Sequence, residues 1–406
     1  MSGPLQGIKV LDLSWVLSGP FSTMILSDLG AEVIKLERPG WGDMARGNGP
    51  FLDGESSYFL SINRGKKSIA VDLTKDQGKA LFVKLAKKVD VLVENFTPGT
   101  MKRLGLDYEA LKPHNPALIY AAISGFGQSG PYASKPALDV IVQAMGGIMS
   151  ITGEQGGPPV RPGASLGDIA AGLFTAIGVL SALHERSRSG LGQMVDISML
   201  DCQVAVLENA FARYFATGEV PQPLGTRHPV FTPFQAFATS DGYVVVALVG
   251  GASNQWALFC SAIDRPDLID DKRFESGWLR TQHYTEVEPM ISAEMRKKTT
   301  SQWLEELSAL DIPCGPVNRI DQVASDPQVN SRQMFKDVSH PRLGKVKVVN
   351  SPLKLSRTPP EIERSAPALA EDTRQVLKEL LGLGQAEIDS LSKAGIIQTD
   401  AAQPAT

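Results

Sequence analysis

Asp168 ends the run Ser165-Leu166-Gly167-Asp168 and opens an apolar pattern that predicts a helix over residues 169–183. A carboxylate at a helix start lies beside amide groups that lack an intrahelical acceptor, and those groups favour its charged form. Aspartate is therefore a good helix cap. It is also what covalent acyl transfer requires: an ionised, positioned carboxylate that can act as a nucleophile. The two roles are compatible.

Other groups could serve an anionic ligand. Arg38 follows a predicted strand, and a guanidinium at the carboxyl edge of a parallel sheet suits a phosphate. Arg64, Lys66 and Lys67 form a second basic cluster. Glu94-Asn95-Phe96-Thr97-Pro98-Gly99 ends a further strand, where an amide and an aromatic ring can hold a base or an amide, or simply make a turn. Glu37 stands where a ribose-binding acid would, but the first turn, Ser14-Trp15-Val16-Leu17-Ser18-Gly19-Pro20, lacks the G-x-G-x-x-G glycines of a dinucleotide site. No P-loop and no G-x-S-x-G elbow occurs. The five histidines, His114, His184, His228, His283 and His340, have no metal-ligand spacing, so no metal is expected. Gly250-Gly251 is a candidate mobile loop.

The elements that position these groups alternate. Residues 8–13 read as a strand, 21–29 as a helix and 32–36 as a strand, which is a βαβ unit and predicts a parallel sheet. A second cycle covers 68–73, 77–88 and 89–94, and 118–124 adds a strand. Residues 195–198 read as a short strand and 200–215 as one helix. The expected fold is α/β: a large doubly wound parallel-sheet domain plus a smaller α+β domain. The boundaries read as 1–217 for the first part of the large domain, 218–233 for a linker and 234–325 for the small domain. Residues 326–406 are the return linker and the end of the large domain. The small domain opens on a hairpin around Ser240-Asp241-Gly242, a second hairpin is expected over Gly344, and helices at 371–381 and 385–394 read as a docking tail.

Composition sets the class. The chain has 406 residues, 43% hydrophobic and 21% charged, as in a soluble globular protein. A net charge of −4 argues against broad nucleic-acid binding. Three dispersed cysteines, Cys202, Cys260 and Cys314, exclude a disulfide framework and suggest a reducing compartment. No signal-peptide pattern and no apolar run of membrane-spanning length is read, so a cytoplasmic protein without membrane contact is expected.

In this order and spacing, a set of segments resembles the class III coenzyme A transferases, the family of formyl-CoA transferase and the carnitine CoA transferase. They are Gly7-Ile8-Lys9-Val10-Leu11-Asp12-Leu13, Asp28-Leu29-Gly30-Ala31-Glu32-Val33-Ile34-Lys35-Leu36-Glu37, Gly42-Asp43-Met44-Ala45-Arg46, Asn63-Arg64-Gly65-Lys66-Lys67-Ser68-Ile69, Val93-Glu94-Asn95-Phe96-Thr97-Pro98-Gly99, Ser124-Gly125-Phe126-Gly127-Gln128-Ser129-Gly130-Pro131-Tyr132, Gly167-Asp168 and Gly190-Leu191-Gly192-Gln193. The resemblance runs from about residue 5 to residue 397.

The resemblance implies that Asp168 attacks an acyl-CoA thioester, forming a mixed anhydride and then an aspartyl-CoA thioester. By position it implies coenzyme A contacts at Leu17, Ser18, Arg38, Val71, Asp72, Leu73, Thr74, Asn95, Phe96, Thr97 and Arg103, with Asp139 as an acid close to the nucleophile. CoA esters are then substrates, no cofactor is permanently bound, and two chains interlock as a homodimer. Leu17 and Asn48 depart from the glutamine and tryptophan of formyl-CoA transferases. Leu138 departs from the histidine that the same-fold racemases carry before the acid at 139. The segment Gly225-Thr226-Arg227-His228-Pro229 looks closest to transferases acting on dicarboxylates such as the succinyl-CoA–glutarate enzyme, with Arg46, Arg227 or His228 as candidates for a distal carboxylate. The alternatives are an acyl-CoA racemase or epimerase of the same fold, and a CoA-binding subunit of a two-chain transferase.

Overall fold

A computed structural model describes residues 3–249 and 254–400, and the chain clusters into two units. The first comprises residues 1–149, 161–219 and 330–406; the second comprises 150–160 and 220–329. Residues 150–160, read from sequence as part of the large domain, belong to the second unit.

The first unit is built on seven strands: β1 Lys9–Asp12, β2 Glu32–Glu37, β3 Lys67–Val71, β4 Val91–Glu94, β5 Ile119–Ser124, β6 Met194–Ser198 and, near the end of the chain, β12 Ile397–Gln398. Their order is β12-β3-β2-β1-β4-β5-β6. The first six are parallel, and β12 alone runs antiparallel, with Ile397 opposite Val71. The order 3-2-1-4-5-6 reverses between β1 and β4, and that switch point opens a crevice at the carboxyl ends of the strands.

Alternation along each strand feeds two cores. Val10, Val33, Val91 and Val93 pack on one face with Leu26 of α1 (Ser18–Asp28) and Ala170, Ala171 and Val179 of α4 (Leu166–Ser189). Leu11, Ile34, Leu36 and Leu92 pack on the other with Leu81, Phe82 and Leu85 of α2 (Asp76–Ala86), and with Val376, Leu377 and Ile388 from the C-terminal helices. The expected docking tail thus forms part of a core. Two further helices, α3 (Asp139–Met145) and α5 (Met199–Val206), lie on the α4 face, where Val142 and Cys202 join the first core.

Three expectations are corrected, and one strand had not been read. The helix carrying Asp168 starts at Leu166 with Ser165 as its N-cap, so Asp168 is the third helical residue and not the cap. Residues 200–215 form two helices, α5 and α6 (Glu208–Thr217), separated at Leu207. The strand β12 was not read, because two residues carry no alternation. Finally, α4 is 24 residues long and apolar enough by composition to cross a membrane. Its Gly167, Ala170, Ala171, Gly172, Thr175, Ala176, Val179 and Ala182 are buried at helical spacing, as in a core helix.

The second unit is α+β. Strands β7 (Phe234–Ala238), β8 (Tyr243–Ala247) and β9 (Cys314–Pro316) form an antiparallel sheet in the order β9-β8-β7. Phe237, Val244 and Val246 pack against Phe259, Ile291 and Trp303 from three helices. The second expected hairpin lies in the first unit, as β10 (Phe335–His340) and β11 (Gly344–Val349).

Candidate active site

The site begins at the end of β1. Asp12 is fully buried. Its Oδ2 accepts from Lys66 Nζ at 2.9 Å and Thr23 Oγ1 at 2.7 Å, and its Oδ1 accepts from Ser14. The Lys66 and Lys35 charges and these hydroxyls hold its carboxyl well below the usual range, against the opposing effect of burial. Lys35, also buried, donates to Ser14 O at 2.7 Å and pairs with Asp43 Oδ2 at 2.8 Å. Such ion pairs fix geometry more than they add stability. Here they fix the turn that follows β1.

That turn is held from two further sides. Asn95, just after β4, accepts from Trp15 N at 2.8 Å and donates to Trp15 O at 2.8 Å and to Ser18 Oγ at 3.2 Å. Asp43 Oδ1 accepts from Val16 N at 3.0 Å. Between these anchors Val16 has φ +64°, a left-handed conformation that a β-branched residue adopts only under constraint. Phe96 meets Trp15 edge-to-face at 5.5 Å. The chain then enters α1 at Ser18, whose first amides have no acceptor within the helix.

α4 brings the nucleophile candidate to this turn. A Cβ on Gly172 would lie 2.8 Å from Ser18 O, so glycine lets α1 and α4 approach closely. The Ser18 hydroxyl lines the same cavity as the Asp168 carboxyl and favours its charged form. Gly167 N and Asp168 N donate to Asp139 Oδ1 at 2.9 and 3.4 Å. The opening amides of α4 therefore serve Asp139, and Asp168 does not receive their stabilisation as expected from sequence. Burial first, and the Asp139 charge second, push the Asp168 carboxyl up to about 7; Ser18 and Arg161 oppose that rise. Tyr58 is pushed up to about 12, by burial and then by the Asp168 charge.

Trp15, Val16, Leu17, Ser18, Asn95, Phe96, Thr97, Lys135, Asp139 and Asp168 line one cavity of about 380 Å³ at the switch point. Of the residues expected from sequence, Leu17, Ser18, Asn95, Phe96, Thr97, Asp139 and Asp168 meet here. The others follow neighbouring strand ends. Arg38 is exposed after β2 and acts electrostatically on Asp72. Asp72 accepts from Thr74 N and Oγ1, while its own amide is spent on Ile396 O. Val71 is buried in the core, with Leu73 packed against it. Arg103 is exposed on the short helix Thr100–Leu104. Trp15, Lys135 and Arg161 were not singled out from sequence. Trp15 was legible as part of the first turn, whereas the other two had no local signal.

Several sequence candidates are spoken for. Arg64 pairs with buried Asp28 at 2.7 Å, Lys66 with Asp12, and Lys67 with Glu32 at 2.7 Å, so the basic cluster is internal wiring. Glu37 is buried, and Arg46 clamps it at 2.7 and 2.8 Å, which removes both from ligand roles. His228 Nδ1 accepts from Val230 N and Phe231 N. In the second unit Arg227 lies over the Tyr284 ring at 4.0 Å. Gly250 and Gly251 fall outside the described residues. Among the described residues no group of His, Cys, Asp or Glu could hold a metal ion.

Known proteins share this design. The family model for CoA-transferase family III matches residues 5–373. The succinyl-CoA:glutarate CoA-transferase of Mus musculus is 40% identical over 97% of this chain and 90% of its own length. The acetyl-CoA:oxalate CoA-transferase of Acetobacter aceti is 41% identical, covering 93% of this chain and 96% of its own. The crystal structure of a CAIB/BAIF family protein from Brucella suis superposes with a TM-score of 0.84 at 35% identity, over 94% of this chain and all of that one. The chain belongs to CoA-transferase family III, and is an enzyme whose substrates are CoA thioesters.

Proposed function

We propose that this enzyme moves CoA from succinyl-CoA to a dicarboxylic acid, with Asp168 as the covalent nucleophile. One observation carries the reading: the carboxyl group of Asp168, in the first turn of α4, shares a cavity with Ser18 at the start of α1, and neither histidine nor cysteine is among the described residues that line it. An Asp168 oxygen attacks the thioester carbonyl, the C–S bond breaks, and CoA thiolate leaves a mixed anhydride. The thiolate then attacks the aspartyl carbonyl and expels the donor carboxylate, leaving an aspartyl-CoA thioester. The acceptor carboxylate attacks that thioester, and the thiolate returns to the acceptor's carbonyl, freeing Asp168. The opening amides of α1 suit the oxyanions formed on the way.

The relatives support a dicarboxylate acceptor, since glutarate and oxalate in their names both carry two carboxylates. Leu138, exposed and without an ionisable group, disfavours racemisation, which needs a second acid/base. Exposed Arg38 and Arg103 suit the phosphates of CoA, and Leu17, Ser18, Asn95, Phe96 and Thr97 suit its thioester and pantetheine end.

The reading includes a homodimer in the cytoplasm. Ile141, Met145, Leu173, Phe174, Ile177 and Phe215 are exposed on α3, α4 and α6, an apolar surface that a second copy would cover. All three cysteines are free.

The test is incubation of the purified protein with succinyl-CoA and a panel of mono- and dicarboxylic acids, followed by intact-mass measurement after hydroxylamine trapping. A hydroxamate at Asp168 is expected. Full transfer by Asp168→Ala would remove it from the mechanism, and sedimentation as a monomer would remove the dimer.

A further inference from the structure

The carboxylate of Asp139 faces two demands that conflict. Its Oδ1 takes the amides of Gly167 and Asp168, so the opening turn of α4 is built on an anion. That same anion raises the cost of ionising Asp168, whose carboxyl extends from the residue it caps. Protonating or removing Asp139 would free the nucleophile's charge and loosen its turn together.

The other oxygen offers a way out. Oδ2 accepts from Gln143 Nε2 at 2.7 Å and from Arg161 Nη2 at 2.9 Å. Arg161 Nη2 also reaches Ser165 Oγ, on the N-cap residue of α4, at 3.0 Å. One guanidinium thus joins the capping carboxylate to the residue that begins the helix. We propose that Arg161 is a positioning residue for the transfer reaction: it offsets the charge of Asp139 while leaving the capping oxygen in place, and so sets the pH at which Asp168 becomes a nucleophile. This rests on Asp168 being the nucleophile.

The polar and charged groups around Asp168 come from three helices and two connecting segments. Asp139 lies on α3, and Arg161 precedes α4. Tyr58, on the short helix Ser57–Ile62, stays neutral at working pH because its hydroxyl is pushed up to about 12. Ser18 on α1 supplies a hydroxyl. Lys135 lines the same cavity and lies over the Tyr132 ring at 3.9 Å. Among the described residues, Arg161 is the cation paired with Asp139.

The experiment measures kcat/KM for succinyl-CoA, with glutarate as acceptor, from pH 5 to 9 in wild type, R161K, R161M and D139N. The carboxyl 13C shift of Asp168 is titrated in the same proteins as a readout independent of turnover. R161M should move the acidic limb and the 13C midpoint up by about one pH unit. R161K should restore most of that shift, and D139N should move both down. Adding R161M to D139N should shift the midpoint by less than half as much as it does alone. An equal loss of rate at every pH in R161M, with an unmoved midpoint, would mean that Arg161 only braces the loop and would overturn the proposal. If R161M does not fold, D139N and R161K decide: midpoints equal to wild type in D139N reject it. Retained activity in Asp168→Ala would reject the nucleophile instead, a separate outcome that the 13C titration still distinguishes.

Discussion

Asp139 Oδ1 accepts the backbone amide of Asp168 at 3.4 Å, while the charge on Asp139 raises the carboxyl of that same residue. One side chain thus anchors the main chain of Asp168 and resists the ionisation of its side chain. A group so placed is a stronger base than an ordinary aspartate, at the cost of being partly protonated near neutrality.

This sets the pH dependence. As the proposed nucleophile, Asp168 would attack as a carboxylate, so kcat/KM for the acyl-CoA donor should fall as pH drops through about 7, tenfold per unit well below it. A rate that stays flat from pH 8 to pH 5 would contradict the assignment.

The same shift acts on stability with the opposite sense. The folded carboxyl titrates near 7 and the unfolded one near 3.8, so its contribution is fully present below 3.8 and is lost as pH rises through about 7. Asp168→Asn should therefore raise the unfolding free energy by about 1–3 kcal/mol at pH 8 and change it little at pH 4. Denaturant titrations at the two pH values check this.

Asn95 holds both polar groups of the Trp15 backbone and the Ser18 hydroxyl. Asn95→Ala should release the strained turn at Val16 and lower kcat/KM by about 10- to 100-fold, with a smaller effect on the melting temperature. Steady-state kinetics beside thermal denaturation separate the two effects.

Arg46 looks like a carboxylate receptor in the sequence, yet it clamps buried Glu37 and lies 3.7 Å from the centre of the Phe59 ring. Arg46→Met should cost about 3–5 kcal/mol of stability, because it strands a buried charge. The preference for glutarate over a monocarboxylic acid, read as a ratio of kcat/KM values, should not change.

Lys66→Met should likewise destabilise by about 3–5 kcal/mol, since Asp12 loses its hydrogen-bonded cation in a fully buried site. Replacing Asp12 and Lys66 together, by Asn and Met, should restore part of that loss in urea titrations.

The parallel sheet was legible because Val10, Leu11, Val33 and Ile34 alternate between two buried faces, and because each strand is followed by a helix-length segment. The approach of Asp168 to a helix start was legible for the same reason. Asp139 was placed near it by the family resemblance alone; that its carboxylate accepts the Asp168 amide, 29 residues away, had no local signal. Arg64 and Lys66 read as a basic cluster open to an anionic ligand because their partners, Asp28 and Asp12, lie in earlier elements. Charge type is visible in a sequence, but whether a charge is already paired depends on chain crossings that bring distant residues together. The cavity assembles from the ends of β1, β4 and β5 and the starts of α1, α3 and α4, so its members were recognisable singly and its shape was not.

The short strand β12 closes the outer edge of β3, with Ile397 and Gln398 paired to Val71 and Ala70. Residues 72–396 separate the covered strand from its cover. While that stretch is being made, the nascent chain carries a bare sheet edge and an unfilled second core, the condition in which strands of neighbouring chains pair wrongly.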